Sequence, residues 1–161
     1  MMQQRATYAQ SGVDVESGER AVELMRESIV ASSRPEVVGD FGGFAGLFDI
    51  SAAKSMRKPL LATSTDGVGT KIAVARALDI HHTVGLDLVA MVVDDLVVCG
   101  AEPLFMTDYI AVGSVNPERI ARIVSGIARG CELAGCSLVG GETAEHPGLM
   151  APDEYDIAGA G

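Results

Sequence analysis

The sequence predicts a packed α/β domain with many tight turns, and three features carry that expectation. Several stretches repeat apolar residues at helical spacing. Short runs rich in β-branched and aromatic residues lie between them. The 19 glycines fall mostly where one pattern gives way to the next. With 161 residues and 48% hydrophobic content, the chain can bury one core and is short for two.

Residues 1–15 show no periodicity and are expected to form a flexible arm before one domain over 16–161. SGERAVELMRESIVASS then predicts a helix with Ser17 as its cap and Glu19 in its first turn. Ala21, Leu24, Met25, Ser28 and Ile29 form its stripe. GDFGGFAGLFDI interleaves glycine with phenylalanine as a loop. KPLLATSTD is a β-like run that stops at Asp66-Gly67, and Thr70 to Leu78 predicts a helix. Thr83 to Cys99 is the most apolar helix, with Gly100 at its end and Pro103 beyond. PLFMTDYIAVG predicts a strand. Asn116-Pro117-Glu118 starts a helix, with cap, N1 proline and acid in order. Ile120, Ile123, Val124, Ile127, Cys131 and Ala134 mark its buried face, and Gly135 ends it. CSLVGGE predicts a short strand into a glycine turn. YDIAGAG begins a last strand and the chain stops, so a fragment cut near a domain boundary is expected.

A formal charge of −10 argues against a nucleic-acid partner, which needs a basic face. MMQQRATYAQ has no apolar core of a signal peptide, and no run reaches the length of a membrane span. Three cysteines, Cys99, Cys131 and Cys136, in apolar or helical context predict reduced thiols in a cytoplasmic protein, with Cys131 and Cys136 as buried structural thiols rather than zinc ligands.

TSTDGVGTK concentrates chemistry into nine positions. Asp66 sits where a strand meets a turn. Gly67 and Gly69 let backbone approach a ligand, the amides of the next helix favour an anion, and Lys71 reaches phosphate. An ordinary strand–turn–helix junction with Asp66 as a cap fits the spacing equally well. It is not a Walker A pattern.

The helix VGLDLVAMVVDDLVVCG is apolar on every side and is expected to be buried, yet it carries Asp87, Asp94 and Asp95. A buried carboxylate needs a metal, a lysine or a wet cleft beside it. A solvent-facing acidic stripe is the other reading, and fits Asp87 well. Glu142 follows Gly140-Gly141 at an expected strand end, a common ligand position. Asp66, Asp95 and Glu142 together suggest a divalent metal bound to phosphates, since Mg²⁺ takes oxygen ligands and keeps several waters. The His81-His82 pair and His146 are not expected to be catalytic.

Several long stretches bear a resemblance in order across nearly the whole chain. They are SGVDVESGE, RPEVVGDFGGFAGLF, STDGVGTK, VGLDLVAMVVDDLVVCGAEPLF, DYIAVG, VSGIARGCELAGCSLVGGETAEHPG and DEYDIAG. Together they resemble the N-terminal half of the phosphoribosylformylglycinamidine cyclo-ligases, the aminoimidazole ribonucleotide (AIR) synthetases of purine biosynthesis. The resemblance implies ATP-dependent closure of formylglycinamidine ribonucleotide to 5-aminoimidazole ribonucleotide. ATP activates the formyl amide oxygen as an iminophosphate, and the amidine nitrogen attacks that carbon.

The same resemblance implies roles for particular residues. Asp66, Asp95 and Glu142 would be metal ligands, with Asp66, Asp95 and Lys71 at the catalytic centre. Gly42, Gly43 and Phe44 would form the nucleotide-side loop. Thr65, Gly67, Gly69, Thr70, Asp94, Gly140, Gly141 and Thr143 would line the ATP and substrate site. Asp94 replaces the family's Asn before Asp95, which leaves open which acid binds metal. Ala9 stands where many members carry a lysine, so that either the arm supplies no base to ATP or another basic residue such as Arg5 does. An α+β domain of about four strands and four helices is implied, in place of the doubly wound parallel sheet that strand–helix alternation alone suggests, with a mixed or mainly antiparallel sheet whose strands form a β-barrel shared across a homodimer and flanked by helices. A C-terminal domain absent from this chain would complete the site, leaving this half inactive alone. Two other readings are a further ATP-dependent member of the superfamily, such as thiamine-monophosphate kinase or formylglycinamidine synthase, and a non-catalytic dimerisation module.

Overall fold

The computed structural model describes residues 14–161. Of the expected arm, residues 1–13, including Arg5 and Ala9, lie outside the described residues, while Asp14 and Val15 already belong to the first helix. That helix, α1 (Val15–Ala31), is capped by Asp14, whose carboxylate accepts from the Ser17 amide, so Asp14 rather than Ser17 is the cap. An acceptor three residues earlier simply extends the helix by that much. Glu145 secures the same end by accepting from the amides of Asp14 (2.8 Å) and Val115 (2.7 Å).

Two short strands, β1 (Val37–Val38) and β2 (Leu47–Phe48), pair antiparallel and close the glycine loop between them. Of the β-like run before Asp66, only β3 (Thr65–Gly67) is strand, paired antiparallel with residues 158–160. Helices α2 (Lys71–Leu78) and α3 (His82–Val98) follow. Strand β4 (Phe105–Val112) leads to α4 (Pro117–Ala134), where Asn116 accepts from the Arg119 amide at 2.9 Å and Gly135 closes the end at φ 72°. Strand β5 (Ser137–Glu145) runs well past the glycine pair that was expected to end it, and β6 (Tyr155–Ala160) completes the set. Pairing with β4 keeps β5 extended through Gly140-Gly141, which the local sequence does not reveal.

The main sheet has the order β3-β6-β4-β5, with β4 and β5 parallel and the other pairs antiparallel. The α+β class and the mixed sheet are as expected. Helices α1, α3 and α4 cover one face. Met106, Ile110 and Val112 of β4, Leu138 of β5 and Ile157 of β6 meet Leu88, Val92, Ile123 and Ile127 there.

Helices α3 and α4 cross so closely that a Cβ on Gly126 would overlap the His82 carbonyl oxygen. The expected burial of α3 on every side is not observed. Val84, Leu88, Val89, Val92 and Leu96 are buried, whereas Met91, Val97 and Val98 are exposed. Asp94 and Asp95 are exposed as well, so neither is a buried charge needing compensation. A one-layer sheet offers helices a single face, and hydropathy alone cannot say which side of α3 that face takes. Cys131 and Cys136 are buried, and the neighbouring Cys136 thiol together with burial pushes the Cys131 thiol up. Cys99, at the end of α3, is exposed.

Candidate functional site

The residues singled out from sequence fall into two groups separated by the sheet. One lies at the β3 edge. The Asp66 Oδ1 accepts from the Gly67 amide at 2.7 Å, and the Ser64 hydroxyl donates to Asp95 Oδ2 at 3.0 Å. Asp66 and Asp95 thus flank the start of β3, one from the strand and one from α3. Each keeps one carboxylate oxygen without a hydrogen-bond donor among the described residues. The chain then turns through Gly69 at φ 70° into α2, whose cap, Thr70, makes no side-chain bond to the first amides. Thr65 is exposed beside them. Lys71 opens α2, and its Nζ lies 2.7 Å from Asp87 Oδ1, so Asp87 is the lysine's partner. Asp94 points into solvent one position before Asp95.

The second group lies on β5, the opposite edge. Register places Asp66, Gly159, Asp108 and Gly141 in one row across the helix-covered face. It places Gly67, Ala158, Tyr109 and Glu142 in the adjacent row, on the open face. Three strand spacings separate the edges, roughly 14 Å. Glu142 therefore does not meet Asp66 and Asp95 within one chain, and no cluster of three potential metal ligands occurs among the described residues. Glu142 lies within β5 rather than at its end.

The glycine loop lies over β5. Gly46 sits so near Val139 that a Cβ there would come within 2.6 Å of its carbonyl oxygen. Loop, α1 and β5 enclose a cavity of about 570 Å³ that Gly42, Gly43, Gly140, Gly141 and Thr143 help to line. Phe44 is fully exposed at the loop's tip. Phe41 receives the Arg26 guanidinium 4.7 Å above its ring centroid, which ties the loop to α1.

At the cavity floor is Asp108, which sequence reasoning passed over inside a strand motif. Its Oδ2 is shut off from solvent and has no partner among the described residues. Burial pushes its carboxyl up to about 7. A signal was present: Met106, Asp108, Ile110 and Val112 share one face of a strand whose other three members are apolar.

His81 is buried between the Tyr155 hydroxyl at 3.0 Å and Asp79 at 2.9 Å, and His146 Nε2 lies 3.0 Å from the Tyr109 hydroxyl on the open face.

Residues 46–161 match the family described as AIR synthase related protein, N-terminal domain. The phosphoribosylformylglycinamidine cyclo-ligase of Geobacillus thermodenitrificans is 58% identical over 152 residues, 94% of this chain and 44% of that protein. The same enzyme of Leptospira interrogans is 51% identical over 158 residues, 98% of this chain and 46% of that protein. The chain thus spans somewhat under half the length of these relatives. Among solved structures, E. coli HypE aligns with a TM-score of 0.65 at 19% identity, over 89% of this chain and 41% of its own. A thiamine-monophosphate kinase from Stenotrophomonas maltophilia aligns at 0.62 and 16%, over 88% and 40%. At such identities these structures speak for the fold alone. No helix among the described residues is long and apolar enough to cross a membrane.

Proposed function

The chain belongs to the family of AIR synthase related proteins, as an N-terminal domain, and from that premise we propose that it is the nucleotide- and metal-binding half of a phosphoribosylformylglycinamidine cyclo-ligase. The reaction served is ATP-dependent ring closure of formylglycinamidine ribonucleotide, in the cytoplasm. The curated relatives carry that name at 51–58% identity, and HypE, a protein of the same fold, has been solved in complex with ATP.

The observation that carries this reading is the β3 edge. Asp66 and Asp95 flank one strand start, each with an oxygen free of donors among the described residues, beside a glycine turn and a helix start without a side-chain cap. Carboxylate oxygens of this kind fit Mg²⁺, which keeps waters and shares phosphate oxygens. The ion would offset phosphate charge, a need made acute by a chain of net charge −10. Asp66 and Asp95 hold it, the Ser64 hydroxyl orients Asp95, and the α2 amides receive a phosphate oxygen. Lys71 exchanges Asp87 for phosphate when nucleotide arrives. Thr65, Gly67, Gly69 and Thr70 line the approach.

Glu142 joins from a second copy. Strands β3 and β5 each lack a neighbour on one side among the described residues, and the open face carries small residues at Thr107, Ala111, Gly140, Ala158 and Ala160. Closing two such sheets into a shared barrel satisfies the free edges. It also brings one copy's Glu142 towards the other's Asp66, supplying the third acid that one chain cannot place. The remaining part of the enzyme completes the substrate site.

Mn²⁺ in place of Mg²⁺ tests the assignment. Water-proton relaxation should show ATP-dependent Mn²⁺ binding that Asp66→Asn and Asp95→Asn each abolish. Glu142→Gln should weaken it about tenfold. Full retention in both aspartate variants would refute the site.

A further inference from the structure

The geometry points to the cavity over Asp108 as a binding site for an amidinium group, with the Asp108 carboxylate as its counter-ion. This deepens the reading above, whose substrate carries an amidine, and rests on it. A carboxylate oxygen sealed from water and left without a donor is costly, so a ligand that supplies donors is strongly favoured. Asp108 Oδ2 is in that position. Space has been cleared for the side chain: a Cβ on Gly141, its neighbour on β5, would overlap Asp108 Oδ1. At about 570 Å³ the cavity is of small-molecule size.

The charge balance selects the ligand class. Asp40 and Asp108 are the acids beside the helix-covered face in this cavity, and Arg34 is its one basic residue among the described residues. Arg34 is engaged elsewhere, with Glu36 at 3.1 Å and the carbonyls of Pro103 and Gly135 at 3.4 and 3.0 Å. An anion is therefore disfavoured. A metal ion lacks a set of three ligands among the described residues. A compact ammonium is strongly hydrated and poorly suited to walls of Met25, Ile110 and Leu138. A planar, delocalised cation sheds water more readily and offers two parallel N–H groups to the two oxygens of one carboxylate.

The test titrates the chain with acetamidinium chloride, and with ammonium chloride at equal ionic strength, following the ¹³C signal of the Asp108 carboxyl. A saturable shift is expected, at least tenfold tighter for acetamidinium than for ammonium, and absent in Asp108→Asn. In the wild-type chain, acetamidinium methyl protons should show nuclear Overhauser contacts to Ile110 and Leu138, which keeps the test decisive should the variant misfold. No saturable shift, equal affinity for both cations, or no such contacts would overturn the inference. Mg²⁺-ATP binding is measured in parallel. Its retention with a failed acetamidinium titration defeats the cavity assignment alone. Its absence beside successful acetamidinium binding defeats the nucleotide reading alone.

Discussion

A carboxyl group closed off from water keeps its proton to higher pH, and Asp108 moves from its ordinary 3.8 to about 7 for that reason. The folded state then holds a proton that the unfolded chain releases, so this residue's contribution to stability falls as pH rises from about 4 to 7. Asp108→Asn has no such dependence. Its stability relative to wild type should therefore improve between pH 4 and pH 8 by on the order of 4 kcal/mol. Urea unfolding at both values checks this, and parallel pH profiles would contradict it. Asp108 also shows where reading the sequence fell short. Asp66, Asp95 and Glu142 stood out beside glycines or in an apolar helix. Asp108 sits between a threonine and a tyrosine in a strand, and its burial depends on helices that pack there from far along the chain.

Local signals were readable where the chain answers to its neighbours in sequence. Asn116-Pro117 and Gly135 bound α4 as expected, because capping is settled within a turn. Asn116→Ala should cost about 1 kcal/mol, measured by thermal unfolding. The exposed side of α3 and the continuation of β5 were not readable, since a non-local partner decides both: the sheet for α3, and β4 for β5. The crossing of α3 and α4 is the tightest such dependence. Gly126→Ala forces a methyl into the His82 carbonyl and should destabilise the fold by roughly 2–4 kcal/mol, with the helices moved apart. Unchanged stability would mean that the two helices do not approach so closely.

At the scale of the molecule, the described residues form a main sheet with helices on one face and a small β1-β2 pair beside it; the main sheet has two edges without a partner strand among those residues, and its acids are divided between them. The acids were legible in the sequence as a set, but their separation was not, because strand order is set by pairing rather than by position along the chain. Sedimentation should accordingly find a dimer. Tyr109→Glu, which puts a charge on the open face, should shift it towards monomer at least tenfold in dissociation constant, without loss of helical content. The most direct test of the nucleotide assignment is calorimetric titration of the chain with Mg²⁺-ATP beside Asp66→Ala. The account predicts saturable binding by the wild type, weakened at least tenfold in the variant. A folded wild-type chain that binds no Mg²⁺-ATP, or an Asp66→Ala chain that binds it equally well, would contradict the account.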